Sequence, residues 1–354
     1  MRKFYVCLVI LALTALGLAL EPSITFNKAV DYAPHAVIGN NHGACPRASG
    51  GILFVDAYDD WVIQVATPLT TDGSTNDATN SLGVYRAFTT VYLFGSGMSY
   101  QAITYDGTFY YASGYNGTGT CNLFQLTDTG VNPYTVIQMT VSPDGGYSGV
   151  TAVAAATLVM PDYNTGAIQF FTVSGTTATA NGSAIANTNT GTFKTTQAYY
   201  YNDGVKKWIL TYMVDTSLTR RIDVFETDGT PGGTTYKGTF CPAIATDMAI
   251  DGANGIKFGN LTCNSANKVL VAAAAVAGAG PNGFDVFSIN SVSFNGTASP
   301  YLQIRDALFS SSATKLTAGA AFFNSNANLA LLGGNDMLVY DVAPGTAVND
   351  WNLY

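Results

Sequence analysis

One short pattern constrains this chain more than any other: an apolar strand, a tight polar turn, then a strand reading apolar-x-apolar-aromatic-x-apolar. It is plainest between Thr151 and Gly175, where residues 157–160 lead through a turn at 161–166 into a second strand at 167–173. The second strand recurs at 122–126, 168–173, 222–227, 284–289 and 337–342, with 61–65 a weaker first copy. An apolar stretch precedes each copy, at 51–55, 109–112, 157–160, 208–213, 269–274 and 329–332. A leading strand ending in an Asp/Asn/Gly turn adds to the unit at 102–107, 198–204 and 247–252.

Anchored on Ile63, Phe124, Phe171, Phe225, Phe287 and Tyr340, the copies lie 61, 47, 54, 62 and 53 residues apart. Units of about 50 residues made only of short strands point to a β-propeller. The Asn-Gly and Asp-Gly turns fit hairpins, and no long helical period competes with them. A fourth, outer strand fits at 84–94 and at 301–309. Six copies predict six blades in a single all-β domain over residues 20–354, or seven if residues 24–37 build one with the C-terminus. The ring must close to hide its edges, and residues 24–30 or 350–354 are the candidates for the closing strand. A β-sandwich array and a right-handed β-helix are the competing folds; coils of a β-helix are shorter than these units.

Val141-Ser142-Pro143-Asp144-Gly145, followed by the strand–turn–strand at 158–173, resembles the repeats of lactonase-like and YVTN-type propellers. Those families repeat a Ser-Pro-Asp-Gly turn, an apolar strand, an Asn/Gly turn and a Val-x-Val-aromatic strand. The resemblance covers one unit, because Ser-Pro-Asp-Gly occurs once. It implies the architecture and carries no catalytic residue with it.

The chain opens with Arg2 and Lys3, an apolar run from Phe4 to Leu18, and a small-x-small site at Gly17-Leu18-Ala19. That is the layout of a signal peptide over residues 1–19, and the run is short for a bilayer span of roughly 20 residues. The expected localisation is therefore extracellular. Removing Arg2 and Lys3 takes the 15 basic residues to 13 against 23 acidic, a net charge of −10, which argues against binding a phosphate backbone. Charged residues make up only 11% of the chain, well below the roughly 25% of an average domain.

Beyond the leader stand Cys45, Cys121, Cys241 and Cys263. In an exported chain four cysteines predict two disulfides, and Cys45–Cys121 with Cys241–Cys263 closes the shorter loops. Sequons at Asn116, Asn181, Asn260 and Asn295 predict N-glycans on surface turns.

Catalytic candidates are sparse. His35 and His42 share one N-terminal segment, so they cannot form a histidine cage drawn from several blades; a local metal site with Asp31 is the remaining option. No G-x-S-x-G elbow surrounds a serine. Asp56, Asp59 and Asp60, and Asp72 with Asp77, form oxygen-rich turns that could hold calcium, although Asx-turns between strands account for most Asp and Asn of this chain. Tyr110-Tyr111 and Tyr199-Tyr200-Tyr201 are read as packing between blades, or as exposed stacking surfaces. Two functions follow. The first is a non-enzymatic, glycosylated extracellular protein that binds a protein or glycan, or assembles with itself, and needs no cofactor. The second is a lactonase- or hydrolase-like enzyme using channel carboxylates with calcium.

Overall fold

The computed structural model describes residues 21–31, 41–56, 61–65, 68–69, 88–92, 99–117, 119–128, 134–188, 191–215, 219–245, 259–274, 283–289, 296–306, 309, 319–333 and 336–345. These form strands and turns only, and no helix occurs among them.

The chain begins with β1 (Ser23–Asp31) and then lays down four-stranded meanders in succession. The first comprises β2 (Asn41–Pro46), β3 (Ile52–Asp56), β4 (Trp61–Val65) and β5 (Phe88–Tyr92). Next come β6 (Ser99–Tyr105), β7 (Tyr110–Tyr115), β8 (Cys121–Thr127) and β9 (Thr135–Ser142), then β10 (Thr151–Ala154), β11 (Thr157–Pro161), β12 (Ile168–Ser174) and β13 (Thr177–Ile185). These two meanders merge into one eight-stranded sheet, because β13 pairs in parallel with β9 at Thr177–Thr140, Ala178–Val141 and Thr179–Ser142. Separate four-stranded sheets follow. One holds β14 (Lys194–Asn202), β15 (Lys207–Val214), β16 (Thr219–Glu226) and β17 (Thr235–Ala245); the next holds β18 (Leu261–Asn264), β19 (Val269–Ala274), β20 (Gly283–Ser288) and β21 (Leu302–Arg305).

The last sheet has β22 (Ala320–Phe323), β23 (Asn328–Leu332) and β24 (Asp336–Ala343), and its fourth strand is β1. β1 runs antiparallel to β24 from Ser23 opposite Ala343 to Asp31 opposite Asp336. The anticipated closing strand at 24–30 is therefore the one used. Residues 350–354 lie outside the described residues.

The leading strands form a closed circuit: β2 touches β6 and β22, β6 touches β10, β10 touches β14, β14 touches β18, and β18 touches β22. This is a propeller-like arrangement, with sheets standing around an axis and strands numbered outward from it. It explains the composition of each strand. Middle strands are covered on both sides by neighbouring sheets, so β7, β19 and β23 are buried along their whole length and read as mainly apolar runs. Outermost strands meet solvent. β9 is mixed, and most of β13 is exposed despite its strand geometry.

Packing between sheets forms the core. Tyr111, Leu123, Leu158 and Phe171 meet between the two halves of the eight-stranded sheet, and Ile52, Phe54, Ala330 and Val339 meet where the last sheet faces the first. Truncating Phe171 to Ala in such a site costs about 3–5 kcal/mol.

Three sequence expectations need correction here. The leading strand placed at 247–252 lies outside the described residues, and β18 occupies that position in its sheet. Neither expected disulfide is formed. Cys45 packs with Leu53 and Tyr100, while Cys121 packs with Leu123 and Met139 at a different sheet interface. Cys241 and Cys263 share one core cluster, yet both are buried thiols. All four act as small apolar side chains. Finally, Asn260 is not on a surface turn; it is 1% exposed.

Candidate functional site at the ring axis

The leading strands begin at one end of the axis, and their first residues abut. A Cβ on Gly319 would lie 2.1 Å from the His42 carbonyl oxygen; one on Gly43, 2.5 Å from the Ala102 Cα; one on Gly149, 2.7 Å from the Gln197 Cα. In each case the glycine at the start of one leading strand lies against the backbone of the next sheet. Gly149 also has φ +47°, a conformation that disfavours other residues. Missing side chains thus let the strands converge until the channel narrows to their own polar groups.

Those groups bond from sheet to sheet. His42 Nδ1 meets the Tyr100 carbonyl at 2.9 Å, which puts the ring proton on Nδ1. Ser148 Oγ donates to the Thr195 carbonyl. Thr196 Oγ1 donates to the Gly259 carbonyl at 2.7 Å, and the Leu261 amide donates to Gln197 Oε1 at 2.6 Å. One bond crosses the ring: Asn260 Nδ2 donates to the Gln101 carbonyl at 3.3 Å, joining sheets that are not neighbours. His42, Gln101, Ser148, Thr195, Thr196, Gln197 and Asn260 are all buried. Both side-chain polar atoms of Gln101 and Oδ1 of Asn260 are buried without a hydrogen bond to protein. Ordered water is their expected partner. Among the described residues this end of the axis is thus narrowed by amides and hydroxyls, which can hold water and fix geometry, together with the imidazole of His42, the one group there that can exchange a proton near neutral pH.

Charged groups lie at the same end, two strands out, where third strands begin. Arg220 is 0% exposed; its Nη2 donates to Asp285 Oδ2 at 2.8 Å and its Nη1 to the Ala273 carbonyl at 3.0 Å. Arg305 Nη2 holds the other oxygen of Asp285 at 2.5 Å. Burial works against the Arg220 charge, but Tyr212, Cys241 and Asp285 outweigh it and leave its pKa above the ordinary value. On the opposite face of β16, Arg221 pairs with Asp223 Oδ2 at 2.8 Å, and Asn187 and Thr239 complete the Asp223 shell. These groups are absorbed by one another, so they clamp sheets together. Sequence reading passed over them, although a paired Arg220-Arg221 beside an apolar strand and an Asp inside Phe284-Asp285-Val286 were the available signal.

The expected site residues scatter. Asn116 is half-buried, and its Oδ1 accepts the Thr120 amide at 3.0 Å. Asn181 is exposed on β13. Asn295, His35, Asp59, Asp60, Asp72 and Asp77 lie outside the described residues, as do the side chains of Asp31 and Asp56. Among the described residues no group of three His, Cys, Asp or Glu side chains is placed to hold a metal ion. Tyr110, Tyr111 and Tyr201 are buried, and Tyr199 and Tyr200 half-buried. The tyrosine clusters are therefore packing.

No protein-family model matches the chain, and no curated protein matches it. Solved structures do. A protein of unknown function from Bacteroides thetaiotaomicron superposes with TM-score 0.52 at 14% identity, covering 91% of this chain and 76% of its own. A candidate 6-phosphogluconolactonase from Bacteroides uniformis gives 0.49 at 14% identity over 84% and 80%. A streptogramin B lyase gives 0.45 at 9% identity over 92% and 98%. At these identities the likeness concerns fold alone. Fold and site together define a β-propeller whose described residues bring buried polar side chains, His42 among them, together at one end of the axis.

Proposed function

We propose that this chain is a secreted six-bladed β-propeller that works by display, presenting rigid loops and edges to an extracellular protein, a glycan or another copy of itself. In this reading the eight-stranded sheet is two blades joined at the rim, and the leader over residues 1–19 is removed. In a host that glycosylates, Asn116, Asn181 and Asn295 carry sugar, and Asn260 does not.

The observation that carries the reading is the hydrogen bond across the ring from Asn260 to Gln101. It occupies the place where a channel enzyme would hold substrate and converging catalytic groups.

The test is to express the full chain in a secreting eukaryotic cell and recover it from the medium. Light scattering and intact mass then report assembly and glycans, and a panel of lactones with calcium reports turnover. The display reading expects secretion without residues 1–19, sugar on Asn116, Asn181 and Asn295, and no turnover. Turnover abolished by a calcium chelator would overturn it in favour of the enzyme.

A further inference from the structure

At the opposite end of the ring, a cavity of about 430 Å³ opens between β6–β9 and β10–β13. Its apolar wall includes Phe109, Ile137, Ala155 and Val173. The two walls are held at a fixed spacing by the rim pairing of β13 with β9 and by the Thr140 amide donating to the Thr176 carbonyl at 2.9 Å. Binding sites for small molecules are commonly this size, mainly apolar, and supplied with few polar groups.

The polar groups here run as a directed chain. Tyr111 OH donates its one proton to Asp106 Oδ2 at 3.2 Å. Its oxygen must therefore accept, and Gln125 Nε2 donates to it at 3.3 Å. This fixes the amide orientation and leaves Gln125 Oε1 as an acceptor without a donor, on a side chain 7% exposed that lines the cavity. Burial holds the Tyr111 hydroxyl up to about 12, so the chain keeps its direction at neutral pH. The Asp106 carboxylate is itself saturated, because Oδ1 takes the Thr108 and Phe109 amides and Oδ2 also takes the Ala156 amide.

We propose that this cavity between the two rim-joined meanders is a binding site for a small, largely apolar molecule that is neutral or cationic and carries one N–H or O–H donor for Gln125 Oε1. Anions are disfavoured by the Asp106 charge. The inference does not depend on the display function, since it rests on a different end of the ring.

Indole is the probe: bicyclic, neutral, with one N–H. Benzothiophene has nearly the same shape without the donor. Calorimetric or ligand-observed NMR titration of the mature protein is expected to show indole binding about 10-fold more tightly than benzothiophene, the factor for one lost hydrogen bond. Gln125→Leu erases that preference. Ala155→Trp, at an exposed turn position, fills the cavity without touching the core and abolishes binding. The inference is overturned if indole does not bind the wild-type protein, or if binding is unaffected by Ala155→Trp.

Discussion

Asp106 Oδ2 accepts the amide of Ala156 at 3.0 Å, tying the first hairpin of one meander to the first hairpin of the next. The same position is used twice more. Asp203 Oδ2 lies 3.9 Å from Lys268 Nζ, and Asn264 Nδ2 donates to the Asn326 carbonyl at 2.9 Å. In each case the residue reached has a left-handed backbone, with φ 54° at Ala156, 54° at Lys268 and 70° at Asn326. The turn side chain that ends a leading strand therefore acts as a latch to the following sheet.

Replacing Asp106 with Ala removes acceptors for the Thr108, Phe109 and Ala156 amides and for Tyr111 at once. The expected loss of unfolding free energy is about 2–3 kcal/mol, the scale for stranded partly buried donors, read by urea denaturation. A loss under about 0.5 kcal/mol, as at an ordinary surface position, would remove the latch from the account.

Asp203 makes a pH-dependent contribution of known sign. Desolvation opposes its charge, but amide bonds from Lys206 and Val205, with Tyr201 and Lys268, outweigh it and lower its pKa. A carboxyl more acidic when folded stabilises the fold above its unfolded pKa of roughly 4, and that stability fades as pH falls through the folded value. Asp203→Asn should therefore be less stable than wild type at pH 7 and converge with it in acid. Parallel stability curves down to the most acidic point would show that the charge is irrelevant.

Arg220 and Asp285 form a pair with almost no exposure. Removing Asp285 strands the buried Arg220 charge, which costs about 3–5 kcal/mol, whereas removing Arg220 leaves Asp285 paired with Arg305. Asp285→Leu should fall in that range and Arg220→Leu below it, and the Arg220→Leu/Asp285→Leu double variant should be less damaged than the two single losses added together. Simple additivity in chemical denaturation would mean the pair is not coupled.

Cys45, Cys121, Cys241 and Cys263 are buried thiols, so a maleimide or aromatic disulfide reagent should label none in the native state and all four in denaturant. Fewer than four labelled in denaturant without reductant would reveal a disulfide.

The propeller was legible because its inner and third strands are covered on both sides and must be apolar, as in the Val269–Ala274 and Phe284–Ile289 runs. Residues 24–30 could be named as a closing strand for the same reason: Val30 is fully buried, and Ile24 and Ala29 pack against the core. The outer strands were harder. β9, β13 and β17 went unread because strands at the rim are wet on one face, and the Thr-Ala-Thr-Ala-Asn-Gly-Ser of β13 offers only two small apolar residues, Ala178 and Ala180, to mark its inner face. The axial site was invisible for a different reason. Gly43, Gly149 and Gly319 matter through what they let approach, and Gln101 and Asn260 lie 159 residues apart in the chain. No local pattern announces such a meeting. The sequon at Asn260 misled because the motif carries no information about burial.

The central claim is a ring closed by β1 and plugged at one end by polar side chains, and a crystal structure of the mature protein tests it most directly. The account predicts β1 as the outer strand of the last sheet and Asn260 Nδ2 within hydrogen-bonding distance of the Gln101 carbonyl across the axis. An open channel with carboxylates from several sheets around a bound ion would contradict it.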